Sequence, residues 1–101
     1  MVVRSTEELH FFVKGHVQGV GFRHWIASKA PLYGLSGWVR NVQGGNVELR
    51  VRGRTADLAV FLQECAKGCF MSTVSEIIHT EIDEDLPELE DGSFMILADA
   101  S

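Results

Sequence analysis

The sequence is poor in cysteine, and this scarcity excludes two classes of small domain. Two cysteines among 101 residues cannot form the disulfide framework that stabilises small secreted proteins. Cys65 and Cys69 are four residues apart, so they lack the C-x-x-C spacing and the two further ligands that a zinc site needs. We therefore expect two reduced cysteines that have neither a metal-binding nor a disulfide role.

Long hydrophobic runs are missing as well. No apolar run approaches the roughly 18 residues of a membrane span, and the N-terminal MVVRSTEELH lacks the apolar core of a secretory signal. We therefore expect a cytoplasmic protein with no membrane partner. A chain of 101 residues has room for one domain, which we place at residues 9–101, after a flexible arm at residues 1–8.

Positive charge is absent from the last fifth of the chain. Residues 81–101 contain eight acidic residues and no lysine or arginine, whereas residues 1–80 contain nine basic and six acidic residues. The net charge of −5 argues against a nucleic-acid partner, because broad nucleic-acid binding needs a dominant basic surface. The mildly basic body suits a small anionic ligand, and the acidic run predicts a solvated loop.

A glycine-rich segment, GHVQGVGFR, is present from Gly15 to Arg23. It follows a β-like apolar run and precedes helical periodicity, which predicts a strand, a tight loop and a helix start. Because glycine lets a ligand approach the main chain, the loop amides can converge on one anion. These are the amides of His16, Val17, Gln18, Gly19, Val20 and Gly21. With the helix N-terminus and the guanidinium of Arg23, they predict a site for a phosphate-sized anion.

The loop alone does not decide the function, because glycine-rich turns also occur merely to let elements pack. It matches neither the P-loop pattern G-x-x-x-x-G-K-[ST] nor the dinucleotide pattern G-x-G-x-x-G. A second segment, GWVRNVQGGNVELRVRG, runs from Gly37 to Gly53. Together the two segments resemble the acylphosphatase family, whose patterns are G-x-V-Q-G-V-x-x-R and G-[FYW]-V-x-N-x-x-x-G-x-V-x-x-x-x-x-G. Every required position of both patterns is filled.

The resemblance implies hydrolysis of acyl phosphates, the mixed anhydrides of carboxylic and phosphoric acids, to a carboxylate and inorganic phosphate. Arg23 and the loop amides would hold the phosphoryl group, and Asn41 would orient the attacking water. Without the resemblance, an asparagine beside a turn is interpreted as a cap for backbone groups. The resemblance also implies a monomer that needs no cofactor and no metal.

Periodicity predicts two helices and five strands. The predicted strands are 9–13, 36–41, 46–52, 74–82 and 94–98, and the predicted helices are 22–33 and 55–67. Thr55 is the expected N-cap of the second helix and Gly68 its end, while Pro31 predicts a bend or an irregular last turn in the first. The order is that of a ferredoxin-like α+β fold, βαββαβ, in which two helices cover one face of an antiparallel sheet, plus a short fifth strand.

Two alternatives stay open. Large hydrogenase-maturation carbamoyltransferases have an N-terminal domain with the same loop motif, but those chains continue into zinc-binding and transferase domains, whereas this sequence ends at Ser101. A non-catalytic anion- or RNA-binding module of the same fold would expose a basic, aromatic sheet face. The acidic balance and the presence of both Arg23 and Asn41 favour the enzyme.

Overall fold

The computed structural model describes residues 5–100, which form a five-stranded sheet and two helices. The strands are β1 (Thr6–His16), β2 (Ser36–Asn41), β3 (Val47–Arg54), β4 (Thr73–Thr80) and β5 (Phe94–Ile96), and the helices are α1 (Phe22–Lys29) and α2 (Thr55–Lys67). This order confirms the predicted βαββαβ plan with a fifth strand.

The sheet has the strand order β4-β1-β3-β2-β5. Strand β1 pairs antiparallel with β3 and β4, and β2 pairs antiparallel with β3. The four strands of the βαββαβ unit thus form the predicted antiparallel sheet, and the added strand β5 pairs parallel with β2, so the complete sheet is mixed. The parallel pair arises because residues 81–93 carry the chain from the β4 edge of the sheet to the opposite edge.

The core lies on one face of the sheet, between the strands and the two helices. In register across the sheet, Phe11 pairs with Leu49 and Leu49 with Val39, so these side chains share one face. The helices contribute Phe22, Ile26, Leu58, Phe61 and Cys65 to the same buried cluster. Both helices therefore cover this face, as the ferredoxin-like plan predicts.

The start of β1 corrects the predicted arm at residues 1–8. Residues 6–8 pair with residues 52–54 of β3, and only residues 1–4 of that arm lie outside the described residues. The charged residues of this segment gave no strand pattern, so its pairing was not predicted. A cross-strand ion pair stabilises it, in which Arg50 Nε donates to the Glu8 carboxylate over 2.6 Å.

The two predicted helices differ in how well their ends agree with the structure. The first ends its α-helical part at Lys29, and residues 30–33 form a 3-10 turn with Pro31 near its start, which confirms the irregular last turn. The second has the predicted bounds, but Thr55 is its first residue rather than its cap. The N-cap is Arg54, and no side chain caps the helix; its first amide, that of Thr55, donates to the Ser5 carbonyl over 3.1 Å.

Smaller corrections concern three strands and the acidic run. Strand β3 extends to Arg54, β4 ends at Thr80 and β5 ends at Ile96, each within two residues of the predicted bound. The carboxylates of the acidic run are exposed, as expected of a solvated loop, although the Pro87 carbonyl accepts a hydrogen bond from the buried Trp38 indole. Within residues 5–100, no helix has the length and apolar character needed to cross a membrane.

Candidate active site

The glycine-rich loop begins where the backbones of β1 and β4 pack closely together. Gly15 has a φ of 132°, and a Cβ at this position would lie 2.1 Å from the Thr73 carbonyl oxygen. Only glycine fits this approach, which explains the first residue of the motif. The first strand continues three residues beyond its predicted end at Val13, so His16, predicted as the first loop residue with a free amide, is the last residue of β1. The amides from Val17 onward belong to no sheet ladder.

The loop ends at the N-terminus of α1. Gly21, at a φ of 81°, is the N-cap, and its carbonyl accepts the first helical hydrogen bond from Trp25 over 3.0 Å. The amides of residues 22–24 therefore have no intrahelical partner, and the first turn holds no acidic residue to neutralise the helix dipole. A pocket of about 140 Å³ opens here. It is lined by Val17, Gly19, Gly21, Phe22, Arg23 and His24.

Side chains of the loop anchor it and leave its backbone available. The Gln18 Nε2 donates to two backbone carbonyls of the hairpin between β2 and β3, over 2.9 Å to Val42 and 2.8 Å to Asn46. Val17 is buried in the core, whereas His16 and Gly19 are exposed. The Gln18 side chain thus fixes the loop to the residues that follow Asn41. The sequence predicted a role only for the backbone amide of Gln18.

Arg23 lies on the first turn of α1 and leaves 31 % of its side chain exposed. Its Nη1 donates to the Asp99 carboxylate over 3.3 Å. Residues 97–100 follow β5 and form a C-terminal tail that runs along β2. Within it, the Leu97 amide donates to the Val39 carbonyl and the Ala100 amide donates to the Asn41 carbonyl. Arg23 and Asn41 are thus linked through the tail, since Asp99 contacts Arg23 and the next residue, Ala100, bonds to the Asn41 carbonyl.

Asn41 is the last residue of β2, and its side chain is buried on the helix-covered face. It is in register with Val47, as Val39 is with Leu49, so it belongs to the row that points toward α1. Within residues 5–100 its Oδ1 accepts no hydrogen bond. A buried acceptor without a partner costs about 1–3 kcal/mol, so this oxygen is positioned for a group that the protein itself does not supply.

The opposite face of the sheet holds a second polar cluster, which the sequence interpretation missed. Buried Glu48 accepts a hydrogen bond from Arg40 Nε over 2.6 Å and lies 2.6 Å from the His10 Nε2. His10 is itself buried on this face. Each charge here has a partner, which is typical of structural ion pairs.

The remaining candidate residues are placed as follows. His24 is exposed on α1. Cys65 is buried in the core, and burial together with nearby Glu64 raises the pKa of its thiol, so its reactive thiolate is suppressed. Within residues 5–100, no three His, Cys, Asp or Glu side chains converge as the ligands of a metal ion would.

Comparison with known proteins decides the family. The acylphosphatase family model matches residues 9–96, which include the loop, Arg23 and Asn41. The chain belongs to the acylphosphatase family. An acylphosphatase of Moorella thermoacetica is 46 % identical over 73 residues, which cover 72 % of this chain and 78 % of the relative. An acylphosphatase of Rhodopseudomonas palustris is 41 % identical over 81 residues, covering 80 % of this chain and 82 % of the relative.

Solved structures agree with this membership of the acylphosphatase family. The acylphosphatase of Bacillus subtilis superposes with a TM-score of 0.78 at 32 % identity, covering 92 % of this chain and 99 % of that one. Full-length HypF superposes with a TM-score of 0.77 at 29 % identity, covering 97 % of this chain and 13 % of that one. The same fold thus occurs as a small acylphosphatase and as a small part of a much longer protein.

Proposed function

We propose that the protein hydrolyses acyl phosphates to a carboxylate and inorganic phosphate. The observation that carries this proposal is the buried Asn41 Oδ1, which accepts no hydrogen bond within residues 5–100. The proposal is supported by two links: Gln18 of the loop bonds to the residues that follow Asn41, and Arg23 contacts Asp99, the neighbour of the residue that bonds to the Asn41 carbonyl. The loop and the arginine offer donors to an anion, and Asn41 offers an acceptor to water. Membership of the acylphosphatase family supports this assignment.

In the proposed complex, the phosphoryl oxygens accept hydrogen bonds from amides of residues 17–21 and from the amides that open α1. The Arg23 guanidinium donates to two phosphoryl oxygens at once, which requires it to leave or share its contact with Asp99. That contact is 3.3 Å long and exposed, so water and a phosphate can compete for the arginine. Gln18 keeps the loop in place through its two bonds to the hairpin.

The proposed reaction is displacement at phosphorus by one water molecule. The Asn41 Oδ1 accepts a hydrogen bond from this water and directs its oxygen toward phosphorus. A bond forms between the water oxygen and phosphorus, and the bond from phosphorus to the acyl oxygen breaks, so the carboxylate leaves with the electron pair. The proton lost by water passes to a phosphate oxygen.

This reaction makes few demands on the protein. The leaving carboxylate has a conjugate acid with a pKa of about 4–5, so it departs without a general acid. A loose phosphoryl-transfer transition state needs mainly positioning and stabilisation of the equatorial oxygens, which Arg23 and fixed backbone dipoles supply. We therefore propose a mechanism that is independent of metals and cofactors.

We also propose that the protein acts as a monomer in the cytoplasm, without nucleic-acid or membrane partners. Support for the monomer is that the loop, Arg23 and Asn41 all come from one chain, so no second subunit is needed to complete the site. The net charge of −5 is unfavourable for binding to nucleic acids and to anionic lipids. Two free cysteines agree with a reducing compartment.

The test is hydrolysis of benzoyl phosphate by the purified protein at neutral pH, with and without a chelator. We expect turnover far above the uncatalysed rate that is unchanged by the chelator, and competitive inhibition by inorganic phosphate. Correctly folded protein without turnover would refute the proposal. It would leave an anion-binding module that has the fold of the family without its activity.

A further inference from the structure

The turn between α2 and β4 exposes two large apolar side chains. Phe70 is 98 % exposed and Met71 is 62 % exposed. Isolated apolar residues on a surface are ordinary, but two adjacent ones on one tight turn form a patch, and such patches mark binding sites.

This turn has a fixed conformation. The Ser72 hydroxyl accepts a hydrogen bond from the Cys69 amide over 2.8 Å and donates to the Cys69 carbonyl over 3.0 Å. The Ser72 amide donates to the same carbonyl over 3.0 Å. A Cβ at Gly68 would lie 2.3 Å from the Ser72 hydroxyl, so the chain needs glycine there. The two side chains are therefore displayed by an ordered turn.

The turn lies directly against the glycine-rich loop. The Cys69 thiol contacts the Val20 carbonyl oxygen over 3.8 Å, and Thr73 pairs with His16. Phe70 and Met71 lie between these two points of contact, each within two residues of one of them. Since consecutive Cα atoms are about 3.8 Å apart, both side chains can reach a group that projects from the loop.

The in-line geometry of attack at phosphorus places the leaving group on the side of the loop where this turn lies. In the strand order β4-β1-β3-β2, the turn precedes β4 on one side of β1, and Asn41 ends β2 on the other. Attacking and leaving oxygens are roughly in line across phosphorus. A water held by Asn41 therefore directs the acyl group away from β2 and toward the turn.

From this arrangement we infer that Phe70 and Met71 contact the acyl part of the substrate and select an apolar, aromatic or branched acyl group. The inference rests on the proposed function. Residues 68–75 contain no charged side chain, so the turn offers nothing to a second carboxylate or phosphate. Phenylalanine presents a ring face for stacking, and methionine adapts to different shapes.

The test compares benzoyl phosphate with acetyl phosphate in the wild type, Phe70→Ser and Met71→Ser. The ratio of the two kcat/KM values is compared between variants, so the different intrinsic reactivities of the two anhydrides cancel. We expect Phe70→Ser to lower this ratio at least fivefold and Met71→Ser at least twofold, with kcat/KM for acetyl phosphate within twofold of wild type. The inhibition constant of inorganic phosphate is expected to stay unchanged, since phosphate has no acyl group.

Leu32→Ser is the matched control, because Leu32 is 75 % exposed and lies ten residues after the start of α1, about 15 Å from the loop. This variant should keep the wild-type ratio. An unchanged ratio in Phe70→Ser and Met71→Ser, or equal losses for both substrates, would overturn the inference while leaving the proposed function intact. A wild type that hydrolyses neither substrate would overturn both.

Discussion

The two faces of the sheet carry polar side chains in opposite states. On the face without helices, buried Glu48 is bonded to both Arg40 and His10. On the helix-covered face, the Asn41 Oδ1 accepts no hydrogen bond within residues 5–100, and Arg23 has one long, exposed contact to Asp99. The polar groups of the Glu48 cluster have hydrogen-bond partners within the fold, whereas Asn41 and Arg23 remain available to a ligand.

This difference separates structural polar groups from functional ones better than residue type does. A histidine, a glutamate and an arginine within hydrogen-bond distance would suggest catalysis if the residue types alone were considered. Their bonds show instead a structural cluster: Arg40 and Glu48 form an ion pair, and His10 bonds to the same carboxylate, so the buried charge has partners. Among the described residues, the Asn41 Oδ1 has no donor, which costs free energy, and the Arg23 guanidinium is partly exposed; a ligand could use both groups.

The largest effect is expected for Arg23→Ala. This change should lower kcat/KM for benzoyl phosphate about 10³-fold, because it removes the charge that stabilises the equatorial phosphoryl oxygens. Thermal stability should hardly change, since an exposed ion pair contributes about 0–1 kcal/mol. Arg54→Ala, at the opposite end of the sheet, is the control and should keep full activity. Near-normal turnover by Arg23→Ala would remove Arg23 from the site.

Glu48→Ala should produce the reverse pattern. It leaves Arg40 and His10 without their common acceptor, so we expect a loss of about 3 kcal/mol in the free energy of unfolding. For a domain of this size that loss lowers Tm by more than about 10 °C. Activity assayed well below the transition should stay within a few-fold of wild type. If activity fell while Tm was maintained, the second cluster would have a role in catalysis and the comparison would fail.

Asn41→Ala should lower kcat about 10²-fold, because a misplaced water attacks poorly. The inhibition constant of inorganic phosphate should stay close to the wild-type value, since the proposed partner of Asn41 is water and not phosphate. Stability should not decrease, because the change removes a buried acceptor that has no partner within residues 5–100. Equal losses in kcat and in phosphate affinity would instead make Asn41 a ligand of the phosphate.

The smallest effect is expected for Asp99→Asn. The Asp99 carboxylate lies beside Arg23 and both competes for the guanidinium and repels an incoming phosphate. Removing one charge at this distance in water changes the binding free energy by about 1 kcal/mol, so phosphate should inhibit at a concentration up to about fivefold lower. The gain should shrink at high salt. Weaker inhibition would show that Asp99 holds Arg23 in its working position.

Local pattern was sufficient to predict much of the fold. Strand β2 and helix α2 have the predicted bounds, because alternation, helical periodicity and flanking glycines act over a few residues. The start of β1 could not be predicted, since TEE becomes a strand only through pairing with residues 52–54 of β3 and through the bonds of Glu8 to Arg50 and Arg52. Likewise the start of α2 depends on a distant partner, since the Thr55 amide, the first of the helix, donates to the Ser5 carbonyl.

For the candidate site, too, local sequence predicted the main residues but not the contacts between distant segments. The first motif contains Arg23 and the second contains Asn41. The structure adds the contacts that link the two segments, which are made by the Gln18 side chain and by Asp99 of the C-terminal tail. The contact between Arg23 and Asp99 spans 76 residues, so no local spacing could have indicated it. The acidic composition of the C-terminal run was visible, but not that its last carboxylate reaches the loop.

The most direct test of the account follows the water oxygen. Benzoyl phosphate is hydrolysed by the enzyme in ¹⁸O-labelled water, and both products are examined by mass spectrometry, with the uncatalysed reaction run in parallel. If the loop holds the phosphoryl group and Asn41 directs water at phosphorus, one labelled oxygen appears in phosphate and none in benzoate. Label in benzoate would mean attack at the carbonyl carbon, and would contradict the roles assigned to the loop, Arg23 and Asn41.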